Sequence, residues 1–199
     1  MKAVETELIA IDVALVPPEP VLERARRINA ALKDGGLQFD STHLPHLTLV
    51  QLFIRRANLP ALATRLDPIF GVTAPLPIRV RGLASEEATV SFQVDRTAEL
   101  VQLHESLMDT LREWEEPEGG AGAFFSDGEP PREMDVAYVT NFRAQASYAK
   151  FIAHITLGFG IAPRPGRPFE FLADRIGLFH LGRFCSCRML LHQWTVPPA

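Results

Sequence analysis

His46-Leu47-Thr48-Leu49 and His154-Ile155-Thr156-Leu157 are one phrase written twice: His, apolar, Thr, apolar. With six His and eleven Thr in 199 residues, two such matches are not what random placement gives. Alternation of apolar and polar residues has the period of a strand, so His and Thr point to one face and the aliphatic residues to the other. Val50-Gln51-Leu52-Phe53-Ile54 extends the first phrase and Gly158-Phe159-Gly160 the second, both β-prone. By parity, Leu47, Leu49, Gln51 and Phe53 should share a core face, as should Ile155, Leu157 and Phe159. His46, Thr48, His154 and Thr156 then lie on the opposite faces, and Gly158, lacking a side chain, should leave room there for a ligand.

Outward from these strands, alternation and periodicity predict the remaining elements. Glu7 to Leu15 reads as a strand. Pro18 to Lys33 reads as a helix with Val21, Leu22, Ala25, Ile28 and Leu32 on one side and a stop at Gly35-Gly36. Asn58 can cap a second helix running to about Phe70, and Leu76 to Ala84 should pair with Thr89 to Asp95 through a turn near Glu86. Thr97 or Asp95 starts a helix through Leu100, Leu103, Leu107, Met108 and Leu111. Glu115 to Pro131, with four glycines and three prolines, reads as a loop or lid. Asp135 to Tyr148 reads as helical or irregular. Phe171 to Leu181 and Phe184 to Val196 should form a closing hairpin turning at Gly182. Helices and strands mix without the regular alternation of a doubly wound sheet, so the class is α+β.

Composition narrows the function classes. A chain of 199 residues with 47% hydrophobic content can bury one sizeable core, as a single domain over 1–199. A net charge of −4 argues against a broad surface for long nucleic acid and favours a small or terminal substrate. Arginine outnumbers lysine 17 to 3, which suits phosphate oxygens but equally reflects genomic base composition. Acids at Glu5, Glu7 and Asp12 interrupt the first apolar stretch, so no secretory signal is expected there, and no run of about eighteen apolar residues exists to span a membrane. A soluble, cytoplasmic monomer is expected. Cys185 and Cys187, two apart in a strand, should be free thiols, and a metal or redox role lacks the necessary partners.

Two His-x-Thr-x strands about a hundred residues apart in a chain of this length resemble the 2H phosphoesterase superfamily, which includes RNA 2′,5′-ligase-like proteins and cyclic nucleotide phosphodiesterases. Pro45 before the first phrase matches the family's usual wording; Ala153 before the second departs from it. The resemblance implies a bilobal fold, two pseudo-twofold-related lobes around a cleft, each an antiparallel sheet packed by helices. It also implies a phosphoesterase acting on a 2′,3′-cyclic phosphate or a 2′,5′-linked RNA or nucleotide end.

The chemistry explains the residue types. Cleaving a phosphodiester near neutral pH needs a base for the attacking oxygen and an acid for the departing one, and imidazole can serve in either role. His46 and His154 would be that pair, with Thr48 and Thr156 donating to non-bridging phosphate oxygens; no metal or cofactor is required. Ligation is the same chemistry reversed, and water concentration together with the lack of an RNA-scale basic surface favours hydrolysis. The alternative is a module that binds a nucleotide or RNA end without turnover. His43 reads as a loop residue, His104 as a solvated residue on a helix, and His180 and His192 as residues of the last hairpin with no assigned role. No Gly-x-Ser-x-Gly or glycine-rich phosphate loop supports a serine hydrolase or nucleoside triphosphatase.

Overall fold

A computed structural model describes residues 7–32, 36–40, 42–126, 128–162 and 166–196; Glu5, Lys33 and Gly35 of the readings above lie outside them. The elements run β1 (Leu8–Val16), α1 (Glu19–Ala31), β2 (Leu47–Arg55), α2 (Leu59–Val72), β3 (Leu76–Glu86), β4 (Thr89–Val94), α3 (Ala98–Thr110), α4 (Glu133–Gln145), β5 (His154–Phe159), β6 (Phe169–Ala173), β7 (Arg175–Gly182) and β8 (Ser186–Thr195). They build two antiparallel four-stranded sheets, ordered β2-β1-β7-β8 and β5-β4-β3-β6. The class is α+β, and each repeated phrase opens an edge strand of its own sheet, β2 in one and β5 in the other.

Most predicted elements form for the predicted reasons. Thr97 caps α3 by accepting the Leu100 N–H at 3.3 Å, whereas the Asn58 side chain makes no cap bond to α2. Expected as one strand, Phe171 to Leu181 is two. β6 pairs with β3, the chain crosses at Asp174, and β7 pairs with β1 in the other sheet. One residue therefore carries the chain between sheets, and the Asp174 carbonyl is held by the Val196 N–H at 2.7 Å. Alternate β1 residues Ile9, Ile11, Val13 and Leu15 share a single core with Ile78, Val80, Phe92 and Val94 of the second sheet, covered by Leu62, Leu66 and Phe70 of α2 and Leu100 and Leu107 of α3.

The two edge strands carry the same irregularity. On β1, Val13 pairs with Val50 but Ala14 pairs with Thr48, so Leu49 is an extra residue without a partner. On β4, Val90 pairs with Gly158 but Ser91 pairs with Thr156, leaving Leu157 extra in the same way. Each phrase thus ends in a β-bulge, which inserts one residue and reverses the parity of all that follows. The parity expectation fails for this reason. Leu47 and Leu49 face the main core, but beyond the bulge it is Leu52 and Ile54 that join it, while Gln51 and Phe53 turn to the face of Thr48. Phe159 likewise leaves the core shared by Ile155 and Leu157 and packs on Phe184.

His104 is fully buried, not solvated. Its Nδ1 donates to the carbonyl of the bulged Leu49 at 2.6 Å, and its Nε2 accepts the Tyr148 N–H at 2.9 Å. The ring stacks on Phe151 with centroids 4.0 Å apart. A helix that follows β4 thereby grips the first motif strand and the approach to the second. Both nitrogens are committed, so the ring must be neutral, and burial lowers its pKa below the ordinary value against the pull of the Leu49 carbonyl. The unfolded chain then binds more protons between the lowered native value and about 6.5, so this contribution is complete above about pH 6.5 and is lost as pH falls through the native value.

His104→Leu should cost about 2–5 kcal/mol by leaving the Leu49 carbonyl and the Tyr148 N–H unpaired in the interior. Urea denaturation from pH 7.5 down to 5.5 should also show a shallower acid loss in the variant than in wild type; equal slopes and equal stabilities would refute the clamp.

Candidate active site

Around the first phrase, the chain approaches β2 through Leu44-Pro45, and proline holds Leu44 extended. Leu44 forms a β-bridge with Cys187 of β8, and its carbonyl accepts from His46 Nδ1 at 2.7 Å. A carbonyl can only accept, so Nδ1 carries the proton and Nε2 is the free nitrogen of the neutral ring. That Nε2 lies 3.6 Å from Asp12 Oδ2. The same oxygen accepts from Thr48 Oγ1 and from Gln51 Nε2, each at 2.7 Å. Asp12 is fully buried on β1, and burial raises its pKa against the opposing influence of His46, Gln51 and Thr48.

Around the second phrase the same device recurs. His154 Nδ1 donates to the carbonyl of Ile152, again two residues upstream, at 2.9 Å, leaving its Nε2 free. Here the likeness stops. Asp12 faces Gln51 across the first ladder, and the corresponding pair across the second is Thr89 with Phe159. No carboxylate stands beside His154 among the described contacts. Phe159 instead packs on Phe184 at 5.1 Å, and the Arg132 guanidinium lies 4.3 Å from the Phe184 ring centre and 5.7 Å from that of Phe159. Asp135 fixes this group by pairing with Arg132 at 2.5 Å and accepting the Phe184 N–H at 3.0 Å.

Both motif strands therefore border the β7–β8 turn. A ring nitrogen of His46 is within 4.8 Å of Cys187 Sγ, and Phe159 touches Phe184, three residues earlier in the chain. Surface depressions lined by Pro60, Thr64 and Trp114 and by Arg79, Arg81 and Phe169 contain none of the four motif residues.

The family model described as the 2′-5′ RNA ligase superfamily matches residues 17–181, which include both phrases and the β7 strand that joins the sheets. The chain belongs to that superfamily. No curated protein sequence matches it. Among solved structures, TT0787 of Thermus thermophilus is 17% identical with a TM-score of 0.61, over 96% of this chain and 99% of that one. E. coli LigT complexed with 3′-AMP is 16% identical with a TM-score of 0.54, and LigT complexed with ATP 14% with 0.55, each over 96% of this chain and 99% of LigT. At such identities the likeness establishes the LigT-like bilobal fold.

Within this superfamily member, the second bulge is clamped as the first is, but from the opposite side. Asn29 of α1, the helix that follows β1, donates to the carbonyl of the bulged Leu157 at 2.7 Å and to that of Leu37 at 2.7 Å, and accepts the Phe39 N–H at 2.9 Å. Gly158 follows at φ +138°, and a Cβ there would stand 2.8 Å from Leu32 Cδ1 and 2.9 Å from Asn29 Nδ2. The space that Gly158 was expected to leave for a ligand is thus filled by α1. Glycine is needed for helix packing.

The Glu115 to Pro131 segment is also packed down where described. Ala123 and Phe124 join Phe53, Val139 and Leu181 in a second cluster, His180 Nε2 donates to the Ala123 carbonyl at 2.9 Å, and the Phe125 N–H donates to the Leu181 carbonyl at 2.8 Å. His43 lies in the loop before β2 beside Asp40, and His192 packs on Trp194. Both cysteines are free, but Cys187 does have partners of metal-binding type: Asp12 and His46, remote in sequence and adjacent in space. Asp12 had a legible signal, as the one charge inside the strand Leu8–Val16. Gln51, Phe159, Phe184 and Arg132 had none, since the bulges and the turn place them.

Gly158→Ala should destabilise the protein by about 2–4 kcal/mol, combining positive-φ strain with overpacking against Asn29 and Leu32. Thermal or urea unfolding measures this; a variant as stable as wild type would return Gly158 to its expected role of leaving room for a ligand.

Proposed function

We propose that the protein is a metal-independent phosphoesterase that hydrolyses a 2′,3′-cyclic phosphate or a 2′,5′-linked nucleotide or RNA end, with His46 and His154 as the acid/base pair. The observation that carries this reading is the shared anchoring of the two rings. Each Nδ1 donates to a carbonyl two residues upstream, which leaves two Nε2 atoms of defined tautomer, each able to take or give a proton. One neutral ring removes the proton from water as it attacks phosphorus, and the other, entering protonated, delivers its proton to the departing ribose oxygen. Thr156 donates to a non-bridging oxygen. Thr48 can do so only by releasing Asp12, to which its hydroxyl proton is now directed.

The nucleotide character of the substrate is supported by the superfamily and by LigT, whose structures hold 3′-AMP, ATP, NADP+ and phosphate. A net charge of −4 suits a short or terminal substrate, and water outcompetes a 5′-hydroxyl, so hydrolysis is favoured over ligation. Both histidines come from one chain, so the reading needs only a monomer, which we place in the cytoplasm.

His46→Ala and His154→Ala should each lower single-turnover cleavage of 2′,3′-cyclic nucleotides and 2′,5′-dinucleotides by about 10²–10⁴-fold, measured in chelator. The double variant should be little worse than either single one, because the pair acts as a unit. The wild-type rate should follow a bell in pH whose limbs belong to the pair. Folded single variants with wild-type rates would defeat the assignment, and a wild type that binds the panel and cleaves none of it would make the protein a nucleotide-end binding module. The threonines should differ. Thr156→Ala should lose about 1–3 kcal/mol of transition-state stabilisation, whereas Thr48→Ala should lose less rate and more stability, since its hydroxyl serves buried Asp12. Equal effects in paired kinetics and melts would contradict that division.

A further inference from the structure

The first half of the site holds a buried acid for which the second half has no counterpart among the described residues, and that acid is not alone. We propose that Asp12, His46 and Cys187 form a binding site for a soft divalent cation, zinc fitting best, whose occupation removes His46 from catalysis. The inhibitory half of this proposal rests on the acid/base role given to His46; the binding half does not.

One ligand atom from each residue lies within 4.8 Å of the other two, and His46 Nε2 and Asp12 Oδ2 are already 3.6 Å apart. Tetrahedral zinc, with bonds of about 2.0–2.3 Å, needs ligand atoms separated by about 3.4 Å. The Cys187 sulfur therefore has at most about 1.4 Å to close, within the reach of a side-chain torsion. All three ligands are held from behind. Leu44 fixes His46 through Nδ1 and leaves Nε2 for the metal, and the Leu44–Cys187 bridge joins the backbones that carry the imidazole and the thiol. Thr48 and Gln51 orient Asp12 through Oδ2, and among the described residues the buried Oδ1 has no hydrogen-bond partner.

Nitrogen, oxygen and sulfur together favour zinc over magnesium or calcium, which take oxygen ligands. Asp12 and Cys187 are fully buried while His46 is partly exposed, so a cation would enter past the imidazole. On binding, the metal–sulfur bond replaces the Cys187 S–H bond and that proton passes to solvent, while Nε2 donates its lone pair to the metal and can no longer accept a proton from water. The cation acts as an inhibitor in a protein whose proton transfers need no metal.

Full-length protein stripped with chelator is titrated with cobalt(II) chloride, which reports a bound thiolate by its near-ultraviolet charge-transfer band. The proposal expects one equivalent per chain, displaced by zinc chloride, and one proton released per zinc bound. Cys187→Ala should abolish the band and weaken zinc binding at least about tenfold, and Cys185→Ala should leave both unchanged. Zinc should lower wild-type turnover at least about tenfold and leave Cys187→Ala within about twofold of its own zinc-free rate. A folded wild type without a charge-transfer band overturns the site, whatever the behaviour of the variants. So does a band that survives Cys187→Ala and vanishes in Cys185→Ala, or equal inhibition of wild type and Cys187→Ala. A wild type that binds cobalt through Cys187 but cleaves no substrate would sustain the site and refute the phosphoesterase reading.

Discussion

The two β-bulges at Leu49 and Leu157 are the constraint on which the rest of the structure depends. A bulge interrupts the ladder of an edge strand and would be a weak point unless the freed backbone found partners. Here each bulged carbonyl is satisfied by a polar side chain from the other half: His104, on the helix after β4, serves Leu49 on β2, and Asn29, on the helix after β1, serves Leu157 on β5. The crossing of these two hydrogen bonds joins the sheets along the edge where the repeated phrases lie. It also explains the burial of two polar residues that amphipathic periodicity alone would leave at the surface.

Because the bulge reverses parity, each motif strand presents more than its His and Thr to the same face. On β2 the added residue is Gln51, which with Thr48 fixes Asp12; on β5 it is Phe159, which joins Phe184 and Arg132. The halves are thus alike in backbone and unlike in chemistry. One strand has an acid and a thiol beside its imidazole and an amide bonded to that acid, whereas the other carries aromatic rings and a guanidinium at its far end. An approximate twofold leaves the two imidazoles equivalent in anchoring, while the side chains along the two strands differ, as the proposed division into one base and one acid requires.

Packing beyond the site reinforces this arrangement. The glycine- and proline-rich segment after α3 covers the outer face of β1 and β2 through Phe124 against Phe53, with ring centres 5.9 Å apart. The crossing at Asp174 ties β6 of one sheet to β7 of the other in one step of chain. Neither sheet can shift far without straining a connection that its partner also uses, which holds the two motif edges in register.

The sequence by itself determined the α+β class, most element positions, the two motif strands and the four residues on which the functional reading rests. Those features are local: strand alternation, helical periodicity, capping by Thr97 and a repeated phrase are all written in neighbouring residues. Only the tertiary structure decided which residues join His46 and His154, because a bulge is set by where two strands pair and not by the composition of either. Leu49 and Leu157 look like any other apolar strand residue, so the reversal that brings Gln51 and Phe159 to the site had no local mark. Asn29, His104, Asp12 and Cys187 are polar or ionisable groups in apolar runs or on helices, and each owes its place to a partner far away in the chain. Buried polar groups must find partners wherever the fold supplies them, and that obligation, invisible in one dimension, is what selected these contacts.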